Sequence, residues 1–104
     1  MIVAFSVSPM GGDNPAGSVH DDVAAAVQVV RDSGLPYRTD SMFTSIEGEW
    51  DEVMAVVKEA TEAVGRYGPR VSLVLKADIR PGHTGELDGK LARLEAALAS
   101  DDVS

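Results

Sequence analysis

The side chains in this sequence that could do chemistry are acids and hydroxyls. The run Glu47-Gly48-Glu49-Trp50-Asp51-Glu52 holds four carboxylates in six positions, while Ser6, Ser8, Thr44 and Ser45 fall in stretches that read as strands. Such groups suit hydrogen-bond recognition; catalysis needs an activated nucleophile, a poised acid or a metal. With no cysteine, disulfides, thiolate chemistry and cysteine-based metal sites are excluded. The two histidines, His20 and His83, sit in or beside expected loops without metal-ligand spacing, and no serine–histidine–acid set is suggested locally. Glu49, Asp51 and Glu52 have an ordinary explanation, because acids are favoured at a helix N-terminus. No metal, cofactor or catalytic residue is therefore expected, and the chain reads as a non-enzyme.

Charge narrows the partners. Among 104 residues, 17 acids against 9 bases leave a net charge of −8. Phosphate binding needs clustered Lys and Arg, so nucleic acid is not expected, and an anionic membrane surface is disfavoured. A neutral or cationic small molecule remains compatible. No apolar run approaches the ~20 residues of a membrane-spanning helix. Residues 1–8 lack the basic start and long apolar stretch of a signal peptide, so a cytoplasmic, single-domain protein over residues 1–104 is expected.

The elements that must position these groups follow from periodicity. Residues 2–8 alternate, with Val3, Phe5 and Val7 on one side and Ile2, Ala4, Ser6 and Ser8 on the other, and Pro9 is expected to end the strand. Ser18 reads as the cap of a helix striped by Val19, Val23, Val27 and Val30, with Ala26 beside them and Gly34 as its left-handed stop. Short strands are expected over residues 37–40 and 42–47. A second helix then opens near Glu49, with Trp50, Val53, Met54, Val57, Thr61 and Val64 as its inner stripe. Residues 70–80 form a fourth strand, and Leu87, Leu91, Leu94 and Leu98 stripe a last helix. This order is β-α-β-β-α-β plus a C-terminal helix, a ferredoxin-like α+β sandwich with two helices on one face of an antiparallel sheet.

Parity then assigns the other face. Burying an unpaired carboxylate is costly, so Glu47 is placed away from the helices, which puts Phe43, Ser45 and Glu47 on the open face and Thr44 and Ile46 inward. A face of mixed apolar and hydroxyl character needs a cover, and a second copy of the chain is the expected one.

The segments Met42-Phe43-Thr44-Ser45-Ile46 and Glu47-Gly48-Glu49-Trp50-Asp51-Glu52-Val53-Met54 together resemble the hallmark of the thiamine-binding protein family. Phe5-Ser6-Val7-Ser8-Pro9, Ser33-Gly34-Leu35-Pro36-Tyr37 and Pro69-Arg70-Val71-Ser72 are similar to its first strand, first helix exit and last strand entry. The resemblance implies a ferredoxin-like subunit of a homodimer or homotetramer. It also implies non-catalytic binding of thiamine or its hydroxymethylpyrimidine moiety. One departure is Phe43, where many members carry a small residue; it either adds a stacking surface or partly fills the pocket.

An aminopyrimidine presents a ring-nitrogen acceptor beside an amino donor, and a carboxyl group can pair with it at two points. On this reading the ligand-binding set is Ser6, Ser8, Phe43, Thr44, Ser45 and Glu47. Glu47 would take the pyrimidine, the hydroxyls would add neutral hydrogen bonds, and Phe43 or Trp50 would offer an aromatic face to a thiazolium cation. Glu47→Gln is then expected to weaken the ligand while leaving the ligand-free protein's stability little changed. The alternatives are a cofactor-free dimeric ferredoxin-like enzyme, or a regulatory module whose open face binds only protein.

Overall fold

The computed structural model describes residues 1–10, 19–82 and 84–102. The segment holding the expected Ser18 cap and the loop before it lies outside them, as does His83. Strand β1 (Ile2–Met10), helix α1 (Val19–Asp32), strands β2 (Tyr37–Thr39) and β3 (Thr44–Glu47), helix α2 (Trp50–Val64), strand β4 (Arg70–Asp78) and helix α3 (Glu86–Asp102) follow in order. A turn of 3₁₀ helix, Gly65–Tyr67, closes α2. All strand pairs are antiparallel and the sheet runs β2-β3-β1-β4, the ferredoxin-like arrangement expected from the element order.

The core forms where α1 and α2 cover one face of the sheet. Val3, Phe5 and Ile46 from the strands meet Ala26 and Val30 of α1 and Val53, Val56, Val57, Ala60 and Val64 of α2. Cross-strand register places Val3 opposite Ile46 and Phe5 opposite Thr44, so the expected parity of β1 and β3 holds. Two glycines answer to geometry. Gly34 ends α1 with φ +77°, a conformation that side chains with a Cβ resist. A Cβ on Gly68 would lie 3.0 Å from the Pro9 Cβ and 3.1 Å from the Met10 carbonyl oxygen, so a side chain there would press on the end of β1 where the start of β4 lies against it.

Several expectations are corrected. Pro9 does not break β1, which continues to Met10 and keeps its pairing with β4 throughout. Beyond Phe5 the other side of β1 has no strand partner among the described residues, and a proline is tolerated where its missing N–H faces an open edge. On α1 the inner stripe is Asp22, Ala26 and Val30, while Val23 is 50% exposed. Asp22 is buried because its carboxylate turns back onto the N–H of Val23, at 2.7 Å. Trp50 is 56% exposed rather than core. The sheet ends at the Ile2–Glu47 pair, so the first turn of α2 overhangs it, and Val56, Ala60 and Ala63 complete the stripe instead.

Helix α3 lies on the opposite face of the sheet from α1 and α2. Its first turn is held by Glu47, on the reverse side of β3 from the buried Ile46, and by an ion pair between Asp88 and Arg38. The remainder projects: Leu94 and Leu98 are more than half exposed. The Cα radius of gyration is 16.1 Å, against about 13 Å for a compact 100-residue domain. The extents of 55 × 30 × 19 Å have the same cause.

Candidate functional site

The site begins where β3 stops short of β1. The two strands pair only as far as Phe5–Thr44, although β1 runs five residues further. Asp40 is the reason. In the turn between β2 and β3 its Oδ1 accepts the N–H groups of Met42 and Phe43, both at 2.8 Å, and its own N–H donates to the Phe43 carbonyl at 3.0 Å. Met42 and Phe43, expected within the strand, are thereby drawn into the turn. The amides of Phe43 and Met42 hold the Asp40 carboxyl below its usual pKa, so at neutral pH it is ionised and the turn is anchored.

The divergence opens a cavity of about 210 Å³ between the free edge of β1, the turn and the outer flank of α1. Ser6 and Ser8 line it along the edge of β1, Phe43 and Thr44 at the end of the turn, and Val23 and Val27 on the helix. Thr39 lines it too, its hydroxyl 3.2 Å from that of Thr44. Among the described residues, the only ionisable side chain in the lining is Asp40, which gives this part of the wall one negative charge. Hydroxyls, an aromatic ring and a carboxylate around a small apolar space suit a neutral or cationic heteroaromatic ligand.

Four of the six expected site residues, Ser6, Ser8, Phe43 and Thr44, are thus brought together, and two are not. Ser45 stands on β3 opposite Ala4 and Arg38, away from the lining. Glu47 is 7% exposed, and its carboxylate accepts the Glu86 N–H at 2.8 Å and the Leu87 N–H at 3.2 Å. It caps α3, where a carboxylate also meets the helix dipole favourably. The expectation that Glu47 lies on an uncovered face, free to serve a ligand without affecting stability, does not fit this geometry.

A second cavity, of about 250 Å³, does adjoin Glu47, together with Glu49, Glu52 and Leu35. Its acids are engaged within the chain, Glu47 by α3 and Glu52 by the Glu49 N–H at 3.1 Å, which leaves it the weaker candidate. Sequence reasoning missed Thr39, Asp40, Ser41 and Met42 as wall residues. The Asp40-Ser41 pair signals a turn, but no local pattern says that the turn will pull the next residues out of the ladder.

Comparison with known proteins agrees with this architecture. A family model described as thiamine-binding protein matches residues 3–95. The UPF0045 protein Mb1933 of Mycobacterium bovis is 52% identical over 99 residues, covering 94% of each chain. The crystal structure of the hypothetical protein MJ1052 from Methanocaldococcus jannaschii superposes with a TM-score of 0.78 at 30% identity, over 90% of this chain and 94% of that one. TM0486 of Thermotoga maritima, provisionally assigned to thiamine biosynthesis or salvage, gives a TM-score of 0.74 at 25% identity, over 89% of this chain and 96% of that one. Among the described residues, no helix is long and apolar enough to cross a membrane. With the match spanning nearly the whole chain and the same fold in its relatives, this chain belongs to the thiamine-binding protein family.

Proposed function

We propose that the protein is a non-catalytic binder of thiamine or its hydroxymethylpyrimidine moiety, working without a cofactor as a homodimer or homotetramer. The observation that carries this reading is the cavity at the start of β3. It gathers Ser6, Ser8, Phe43 and Thr44 around an apolar floor, with Asp40 as the single charge among the described residues. Hydroxyls can satisfy the polar edge of a pyrimidine, Phe43 can stack on a ring, and Asp40 favours a thiazolium over a neutral substituent. Among the described residues this lining holds hydroxyls, an aromatic ring and one carboxylate, groups suited to recognition. Self-association is favoured by two features: β4, nine residues long, forms one edge of the sheet, and Leu94 and Leu98 stand exposed on α3.

A thermal-shift titration with thiamine and hydroxymethylpyrimidine, paired with sedimentation of the free protein, tests the proposal. Ligand at one hundred times its dissociation constant should add about 2.7 kcal/mol, a rise of roughly 10 °C or more for a domain of this size. No shift with either compound overturns the binding reading. A stable 10.9 kDa monomer at micromolar concentration overturns the assembly.

A further inference from the structure

The pairing pattern of β1 reveals which main-chain groups face the cavity. In an antiparallel ladder, residues alternate between those that bond to the strand on one side and those that bond to the other. Met1 and Gly48 exchange both bonds, the Met1 amine donating to the Gly48 carbonyl at 2.9 Å and the Gly48 N–H to the Met1 carbonyl at 3.1 Å. Because the register continues without a bulge through Val3–Ile46 and Phe5–Thr44, the odd residues of β1 face β3 and the even ones face β4. Val7 and Pro9 come next in the odd series, beyond Thr44, the first residue of β3.

The residue that the register would set opposite Val7 is Met42, whose N–H is committed to the Asp40 carboxylate at 2.8 Å. Among the described residues, then, nothing takes the Val7 main-chain N–H and C=O, and they lie on the edge of β1 that walls the cavity. In the free protein this donor and acceptor are left to water at the strand edge, and a ligand that supplies both partners can take them over.

We propose that the ligand's aminopyrimidine edge completes the ladder at Val7, its ring nitrogen accepting the Val7 N–H while its amino group donates to the Val7 C=O. This assignment rests on the proposed binding of thiamine or hydroxymethylpyrimidine, and it gives the pyrimidine recognition to the main chain rather than to Glu47. The order of donor and acceptor on one extended residue is complementary to a ring nitrogen beside an amino group. The available ladder is one residue long, since Pro9 has no N–H to continue it and the Asp40 turn closes the other side. That length fits the edge of a single ring and excludes an added peptide strand, which needs several successive bonds. Phe43, in the same lining, is then positioned as the surface beside the ring.

Amide hydrogen exchange on the ¹⁵N-labelled protein reads this directly. In the free protein the Val7 amide should exchange much faster than those of Ser6 and Ser8, which bond to β4. Saturating hydroxymethylpyrimidine should slow Val7 by roughly tenfold or more, and an analogue lacking the exocyclic amino group should bind about tenfold more weakly. If hydroxymethylpyrimidine binds while Val7 exchange stays fast, this assignment fails and the parent function stands. If neither compound binds, the function itself fails and takes the assignment with it. Protection of Val7 in the free protein also overturns the proposal, and dependence of that protection on protein concentration would identify a second copy as the true partner.

Discussion

Replacing Glu47 with alanine should lower the stability of the ligand-free protein by about 1–3 kcal/mol, the cost of leaving partly buried donors without their charged acceptor. The N–H groups of Glu86 and Leu87 would lose their shared carboxylate, and the first turn of α3 its anchor to β3. Urea denaturation measures the loss, which in a domain of this size corresponds to a melting point lower by roughly 4–8 °C per kcal/mol. Glu47→Gln should fall between parent and alanine, because an amide keeps one acceptor oxygen but turns a second donor towards a donor. Affinity for the ligand should be unchanged in both variants, since the Ser6–Thr44 cavity lies away from this cap. The opposite pattern, intact stability with affinity lost, would return Glu47 to the binding site.

Phe43→Ala should weaken the ligand while stability changes less. Phe43 is half-buried at the cavity wall and outside the core cluster, so its removal leaves the packing of α1 and α2 against the sheet untouched. Aromatic stacking on a heterocyclic base is worth about 1–3 kcal/mol, which predicts affinity roughly five- to 150-fold lower by calorimetric titration. Phe43→Leu should recover the apolar contact but not the cation–π component, and should therefore penalise thiamine more than neutral hydroxymethylpyrimidine. Tighter binding by the alanine variant would show that Phe43 fills the pocket and competes with the ligand.

The fold was legible because its strands obey strict alternation and its helices have clear stops. Val3 and Phe5 point inward, Ile46 sits opposite Val3, and Gly34 takes the left-handed turn that its position announced. What misled were residues whose placement depends on where a neighbouring element ends. Pro9 looks like a breaker, yet β3 has already stopped and its missing N–H faces the open edge. Trp50 has helical spacing, yet it sits past the end of the sheet. Glu47 was rightly assigned to the face away from the helices, but the sequence does not say that α3 will fold back onto that face and take its carboxylate. The site was half legible for the same reason. Alternation puts Ser6 and Ser8 on one strand face, while the cavity itself is made by Asp40 drawing Met42 out of register, a tertiary choice with no periodic signature.

The ligand is expected where β3 and β1 part, beyond the Phe5–Thr44 pair. Amide chemical-shift mapping of the ¹⁵N-labelled protein during titration with thiamine tests this placement most directly. The largest perturbations should gather at Ser6, Val7, Ser8, Phe43 and Thr44, with Gly48, Glu49 and Trp50 unmoved. Perturbations centred instead on Glu47, Gly48 and Glu49, with the Ser6–Ser8 edge silent, would contradict it and move the site to the acid-rich cavity at the other end of the sheet.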